Sequence, residues 1–191
     1  QQRWVWTGIG NGASAVLFWC WRDEVFGKES AGFGFAGADG KYAERAEAMR
    51  RTAEVCAENR ELLEAYRPCR PRIGVLFSPR SYYLIWSEER PGTHPVNDLR
   101  GYMRALTSAG LDFRMVEEEH LDELKGLRLL ILPRLLVMSP EVEDRLSRFV
   151  ANGGTIVCES ECGAFDPAGV WRYPGDRFLA GHYGILDEGR R

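Results

Sequence analysis

Trp21 and Arg22, followed by Gly27-x-Glu29, close a continuous apolar run from Ala13 to Phe18 near the start of the chain. An arginine, a glycine and a carboxylate released at the carboxyl end of a buried strand read as one wall of an active site in a parallel α/β barrel. Asp23, Glu24 and Glu29 could each accept hydrogen bonds from the hydroxyls of a polar substrate, and a charged acceptor makes the stronger bond. They fit equally as solvated loop charges or as partners of Arg22. Trp19 and Trp21 are two residues apart and share one side if the strand continues that far. Both stacking on a sugar ring and simple barrel packing suit them. Retaining glycoside hydrolysis needs two carboxyl groups roughly 5–5.5 Å apart. Nothing in the spacing of Glu24 and Glu29 fixes such a separation, so neither is assigned a catalytic role.

The remaining chemistry-bearing residues read more plainly. Cys158-Glu159-Ser160 follows an apolar strand, as a nucleophile elbow would. The glycines that let an elbow turn are missing on both sides, and His182 is the only histidine downstream. A strand thiol is the reading preferred. Cys158 and Cys162 lack a second pair of metal ligands, and Gly153-Gly154 precedes a strand, so it stops a helix instead of cradling phosphate. The Glu117–Glu119 run reads as solvated charge. Tyr82, Tyr83 and Trp86 follow a strand where such folds bind ligands. With no phosphate-cradling glycine or basic cluster nearby, they suit a protein interface better.

These residues need elements to position them, and composition bounds what those elements are. The chain has 191 residues, 45% hydrophobic and 28% charged, with a formal net charge of -3. That is globular composition, with no electrostatic footprint for nucleic acid or an anionic membrane. The apolar stretches are too short to span a bilayer. The five cysteines are odd in number and scattered, which indicates reduced packing thiols of a cytoplasmic protein.

Two prolines in Arg67-Pro68-Cys69-Arg70-Pro71 divide the chain into 1–70 and 71–191. In the first part a helix end around Trp4–Gly10 leads through Gly10-Asn11-Gly12 to a strand, Ala13–Trp21. A long amphipathic helix, Lys41–Tyr66, follows with the stripe Tyr42, Ala46, Met49, Ala53, Cys56, Leu63, Tyr66. One strand between two helices cannot enclose a core, so this part reads as the end of something larger. The second part alternates: strand Arg72–Phe77, helix Val96–Ala109 stopped by Gly110, strand Leu111–Val116, a turn at His120–Leu124 and strand Arg128–Leu132. A helix started by Ser139-Pro140 and strand Thr155–Cys158 complete it. That pattern predicts a parallel, doubly wound, flavodoxin-like α/β domain, with truncation at its C-terminus left open.

The chain resembles the C-terminal part of glycoside hydrolase family 42 β-galactosidases. The matching pieces are Phe18-Trp19-Cys20-Trp21-Arg22, Gly27-Lys28-Glu29, Arg72–Phe77, Tyr82–Trp86, Leu129–Pro133 and Phe149–Val157. The resemblance implies that 1–70 is the terminal helix–strand–helix of a (β/α)8 barrel. It implies that 71–191 is a trimerisation domain with a glutamine-amidotransferase-like fold lacking that chemistry. It further implies substrate-binding roles for Glu29, Trp21 and Arg22, catalytic glutamates upstream of Gln1, and no metal or cofactor. The implied partners are a carbohydrate substrate and two further copies in a homotrimer. On that reading the chain alone does not hydrolyse. The family usually places a histidine three residues after the glutamate, where this chain has Gly32; this leaves the sugar open. The alternative is a stand-alone flavodoxin-like or amidotransferase-like ligand-binding or interaction module.

Overall fold

The structure, a computed structural model, describes residues 1–28, 34–42, 44–89 and 96–188. It divides into two compact units, Gln1–Arg70 and Pro71–Arg191.

The second unit is built on a parallel sheet. Its strands are β1 (Ile73–Phe77), β2 (Phe113–Glu117), β3 (Leu129–Leu132) and β4 (Thr155–Cys158), in the order β2-β1-β3-β4. β1 pairs with both β2 and β3, with Val75 opposite Met115 on one side and Ile131 on the other. The chain runs outward to β2, then crosses back over β1, so the topological switch lies between β1 and β3. Alternation sends the strand side chains to two cores, one on each face. Leu76, Val116, Leu130 and Leu132 pack with Val142, Leu146 and Phe178. Val75 and Ile131 pack with Leu106, with Leu99 and Tyr102 beside them. Gly74 is required by this packing: a Cβ there would stand 2.6 Å from Leu127 Cδ1 and 2.9 Å from Leu130 Cδ1.

The helices of this unit follow from local signals. α5 (Asn97–Ser108) buries Leu106 and half-buries Leu99, Tyr102 and Met103, the stripe that the spacing predicts. Gly110 ends it at φ +67°, where a residue without Cβ carries no steric penalty. α6 (Pro140–Ala151) begins with Ser139 Oγ accepting the Val142 N–H at 3.3 Å, so one of the orphan donors of the first turn is satisfied. Two helices were not expected. α4 (Pro79–Glu89) directly follows β1, and α7 (Phe178–Tyr183) lies near the end of the unit.

The first unit departs further from expectation. α1 (Gln2–Gly10) is present, and the predicted long helix is broken at Asn59 into α2 (Glu44–Glu58) and α3 (Arg60–Ala65). The inward position the apolar stripe missed is Thr52, 3% exposed, whose hydroxyl donates to Ala48 O and accepts from Gln2 Nε2. Ala13–Trp21 forms no strand. A buried strand is held by ladder hydrogen bonds on its edges and by layers on its faces. No regular strand among the described residues of this unit offers either. Leu17 is accordingly 97% exposed and Trp19 73%.

Candidate functional site

In the first unit, residues 20–23 pair through their backbones with residues 35 and 36. Phe35 N–H donates to Cys20 O at 3.2 Å, Ala36 N–H to Trp21 O at 2.8 Å, and Asp23 N–H to Ala36 O at 3.1 Å. Arg22 and Ala36 thereby form a parallel bridge, and Ala36 bridges Tyr42 on its other side. The Gly34 N–H donates to the Asp23 carboxylate, so this carboxylate is a loop fastener. The Trp19–Cys20 peptide bond is cis. Trp21, more than half exposed, meets Tyr42 edge-on at 5.7 Å between ring centroids and lies 6.5 Å from Phe35. Trp21 and Arg22 are thus exposed neighbours beside the Phe35 and Tyr42 rings. Glu29 and Gly32 lie outside the described residues.

In the second unit the carboxyl ends of the strands carry two polar clusters. The first is a relay at β1 and β2. Val137 N–H donates to Ser81 Oγ at 3.0 Å, and the two hydroxyls Ser81 and Ser78 are 2.9 Å apart. Ser78 Oγ lies 2.8 Å from Glu118 Oε2. Glu118 is 5% exposed, which corrects the reading of Glu117–Glu119 as solvated charge: only its two neighbours are exposed. The period of a strand extended past Val116 places 116 and 118 on one side. A buried carboxylate must be hydrogen-bonded, and Ser78 with the Arg80 N–H at 3.4 Å supplies this. Every member of the relay has a partner, so its role is to fasten the start of α4 to the sheet. Ser81→Ala leaves the Val137 N–H buried without an acceptor. Urea unfolding should record a loss of about 1–3 kcal/mol, and a change below about 0.5 kcal/mol would contradict the relay.

The second cluster lies at the carboxyl end of β4. Burial raises the Glu159 carboxyl above its ordinary range, against the hydrogen bond from Tyr102. Burial likewise raises Tyr102, with Glu159 adding to it. Arg134 Nε stands 3.6 Å from Asp98. The Cys162 thiol donates to Cys158 and pulls it down to about 7, against burial; the same bond, with burial, pushes Cys162 well up. The left-handed residue of this turn is Glu161, at φ +62°, and not Cys158. His182 pairs with Ser147 at 3.0 Å and His120 with Glu117 at 3.3 Å. Cys158 therefore has neither the backbone of an elbow nor, among the described residues, a histidine base.

The unit also holds a buried guanidinium that periodicity alone did not indicate. Arg177 is 2% exposed, donates to Asp187 O at 3.0 Å and Arg172 O at 3.3 Å, and lies 4.5 Å over the Trp171 ring.

Residues 71–185 match the family described as the β-galactosidase trimerisation domain. The chain belongs to this family. Among solved structures, the trimerisation domain and the unit before it are similar to the β-galactosidase from the psychrophilic Marinomonas ef1. That likeness has a TM-score of 0.78, 21% identity, and coverage of 94% of this chain and 28% of that one. The Halorubrum lacusprofundi β-galactosidase gives a TM-score of 0.77 at 22% identity, covering 90% and 25%. The Bacillus circulans sp. alkalophilus enzyme gives 0.75 at 22%, covering 93% and 26%. At these identities the likeness establishes the fold. The chain spans about a quarter of the length of these β-galactosidases. No helix among the described residues is long and apolar enough to cross a membrane.

Proposed function

We propose that residues 71–191 hold together three copies of a larger, cytoplasmic, retaining glycoside hydrolase of β-galactosidase type. Residues 1–70 supply the closing helix–strand–helix of its (β/α)8 barrel. The observation that carries this reading is the trimerisation-domain match over residues 71–185. The solvent-facing Trp21–Arg22 loop supports the second half of it.

In that larger protein Ala13–Trp21 gains the neighbouring strands that this unit lacks, and its exposed Leu17 and Trp19 gain cover. Trp21 and Arg22 then stand at the carboxyl end of a barrel strand, where barrel sites are built. Glu29 accepts hydrogen bonds from sugar hydroxyls beside them. The acid/base and nucleophile carboxylates come from other strands, and this chain alone hydrolyses nothing. On α4, Tyr83 and Trp86 are three apart, both 66% exposed, and form part of the contact between copies.

The pocket assignment is tested in the larger protein. Glu29→Ala removes one charge-assisted hydrogen bond and should lower kcat/KM on an aryl β-galactoside by about 10- to 100-fold. Unchanged kinetics on galactosides and related glycosides would remove Glu29 from the pocket.

A further inference from the structure

The two outer strands of the sheet are finished differently. β2 and β4 are its edges, and an edge strand offers a row of backbone N–H and C=O groups to any extended chain. β2 carries Arg114 and Glu117, charged side chains of the kind that discourage such pairing. β4 reads Thr-Ile-Val-Cys, with neither charge nor proline, and its Val157 is 41% exposed.

The register shows which groups β4 leaves open. Thr155 lies opposite Leu129, and its N–H donates to Arg128 O at 2.8 Å. Successive residues of a strand turn their N–H and C=O to alternate sides. Thr155 and Val157 therefore face β3, while Ile156 and Cys158 turn both backbone groups outward. Among the described residues no backbone partner meets these outward groups.

A cleft of about 540 Å³ lies beside this edge, lined by residues of β4 and α7 and the segment after α7. Ile156, Leu179, Tyr183 and Ile185 make its wall apolar. The charged side chains among its described lining are Glu159 and Asp187, both acidic. A strand added to β4 stands about 4.8 Å away and turns every second side chain to the face of Ile156. Main-chain groups free to pair, with an apolar cleft for alternate side chains, are what strand addition requires.

We propose that β4 is a docking edge for an extended peptide segment of another protein, apolar at alternate positions and ended by lysine or arginine. Charge selects this occupant over a second copy of the chain. A second β4 brings its own Glu159 and Asp187 to an edge that already bears both, and facing like charges oppose binding. A basic end on the peptide meets those carboxylates with the opposite sign. The proposal rests on neither the sugar pocket nor the contact between copies.

The probe is a fluorescent heptapeptide that alternates valine and threonine between terminal lysines, titrated with the full chain and read by anisotropy. Binding should saturate, and glutamates in place of both lysines should weaken it at least about 10-fold. Two N-methylated forms test the backbone pairing, because methylating the valine amides blocks one edge of the peptide and methylating the threonine amides blocks the other. One form should bind at least about 10-fold more weakly and the other within about 3-fold of the parent peptide. In the complex, hydrogen exchange followed by NMR should slow at the Ile156 and Cys158 amides and change little at Val157. Absence of saturable binding, equal binding of the lysine and glutamate peptides, or equal binding of the two N-methylated forms would each overturn the proposal. Ile156 and Cys158 amides already protected without peptide, and more so as chain concentration rises, would give the edge to a second copy and overturn it as well.

Discussion

Arg177→Ala is expected to cost the trimerisation domain about 3–5 kcal/mol of unfolding free energy, read as a lowered urea midpoint at unchanged slope. The guanidinium is almost wholly buried, and three attachments end together when it is removed. They are the hydrogen bonds to Asp187 O and Arg172 O and the stacking over Trp171. Carbonyls left without their donor are costly, and the truncation opens a cavity. The charge itself is a weaker asset. Its Nη2 has no hydrogen-bond partner among the described residues, and the Asp187 carboxylate stands 3.9 Å from Nη1. Replacing a buried charge by an apolar chain of similar length is often tolerated. Arg177→Met should therefore lose less than half of what Arg177→Ala loses. Equal losses would mean that the charge, and not the volume, is what the fold requires.

Leu146→Ala should cost about 3–4 kcal/mol in the same measurement. Leu146 is 0% exposed on the inner face of α6, packed in the core that joins α6, the sheet and Phe178. Large-to-small changes lose both the transfer free energy and the contacts around the remaining cavity. For comparison, Ser147 one residue on is only part-covered and bonds to His182. Ser147→Ala should stay within about 1 kcal/mol. A Leu146→Ala loss no larger than this would contradict the placement of α6 on the sheet.

Much of the sheet unit was legible because its signals are local. The apolar runs at 73–77, 129–132 and 155–158 are short, uninterrupted and bounded by turns, as buried parallel strands are. Ser139-Pro140 and Gly110 mark helix ends by mechanism and not by composition. The helix Pro79–Glu89 escaped notice because its inner positions are Ser81 and Ile85. One of these is held by hydrogen bonds to Ser78 and Val137, so the helix shows no apolar stripe. Glu118 escaped for a related reason: a carboxylate between two others reads as solvated until its serine partner, 40 residues away, is known.

The first unit teaches the opposite lesson. Ala13–Trp21 has the composition of a buried strand, yet composition supplies no hydrogen-bond partners. Here the segment is exposed and irregular. Trp21 and Arg22, adjacent in the sequence, lie in a stretch whose backbone pairs with Phe35 and Ala36, a pairing that no periodicity announces.

Assembly is where the account is most exposed. Sedimentation equilibrium of the chain, across a wide range of loading concentrations, should give three times the 21.7 kDa chain mass. Trp86→Ala should shift that trimer toward dissociation. A single species at the mass of one chain at every concentration would contradict the assignment of residues 71–191 as the part that assembles. An unchanged trimer in Trp86→Ala would remove α4 from the contact.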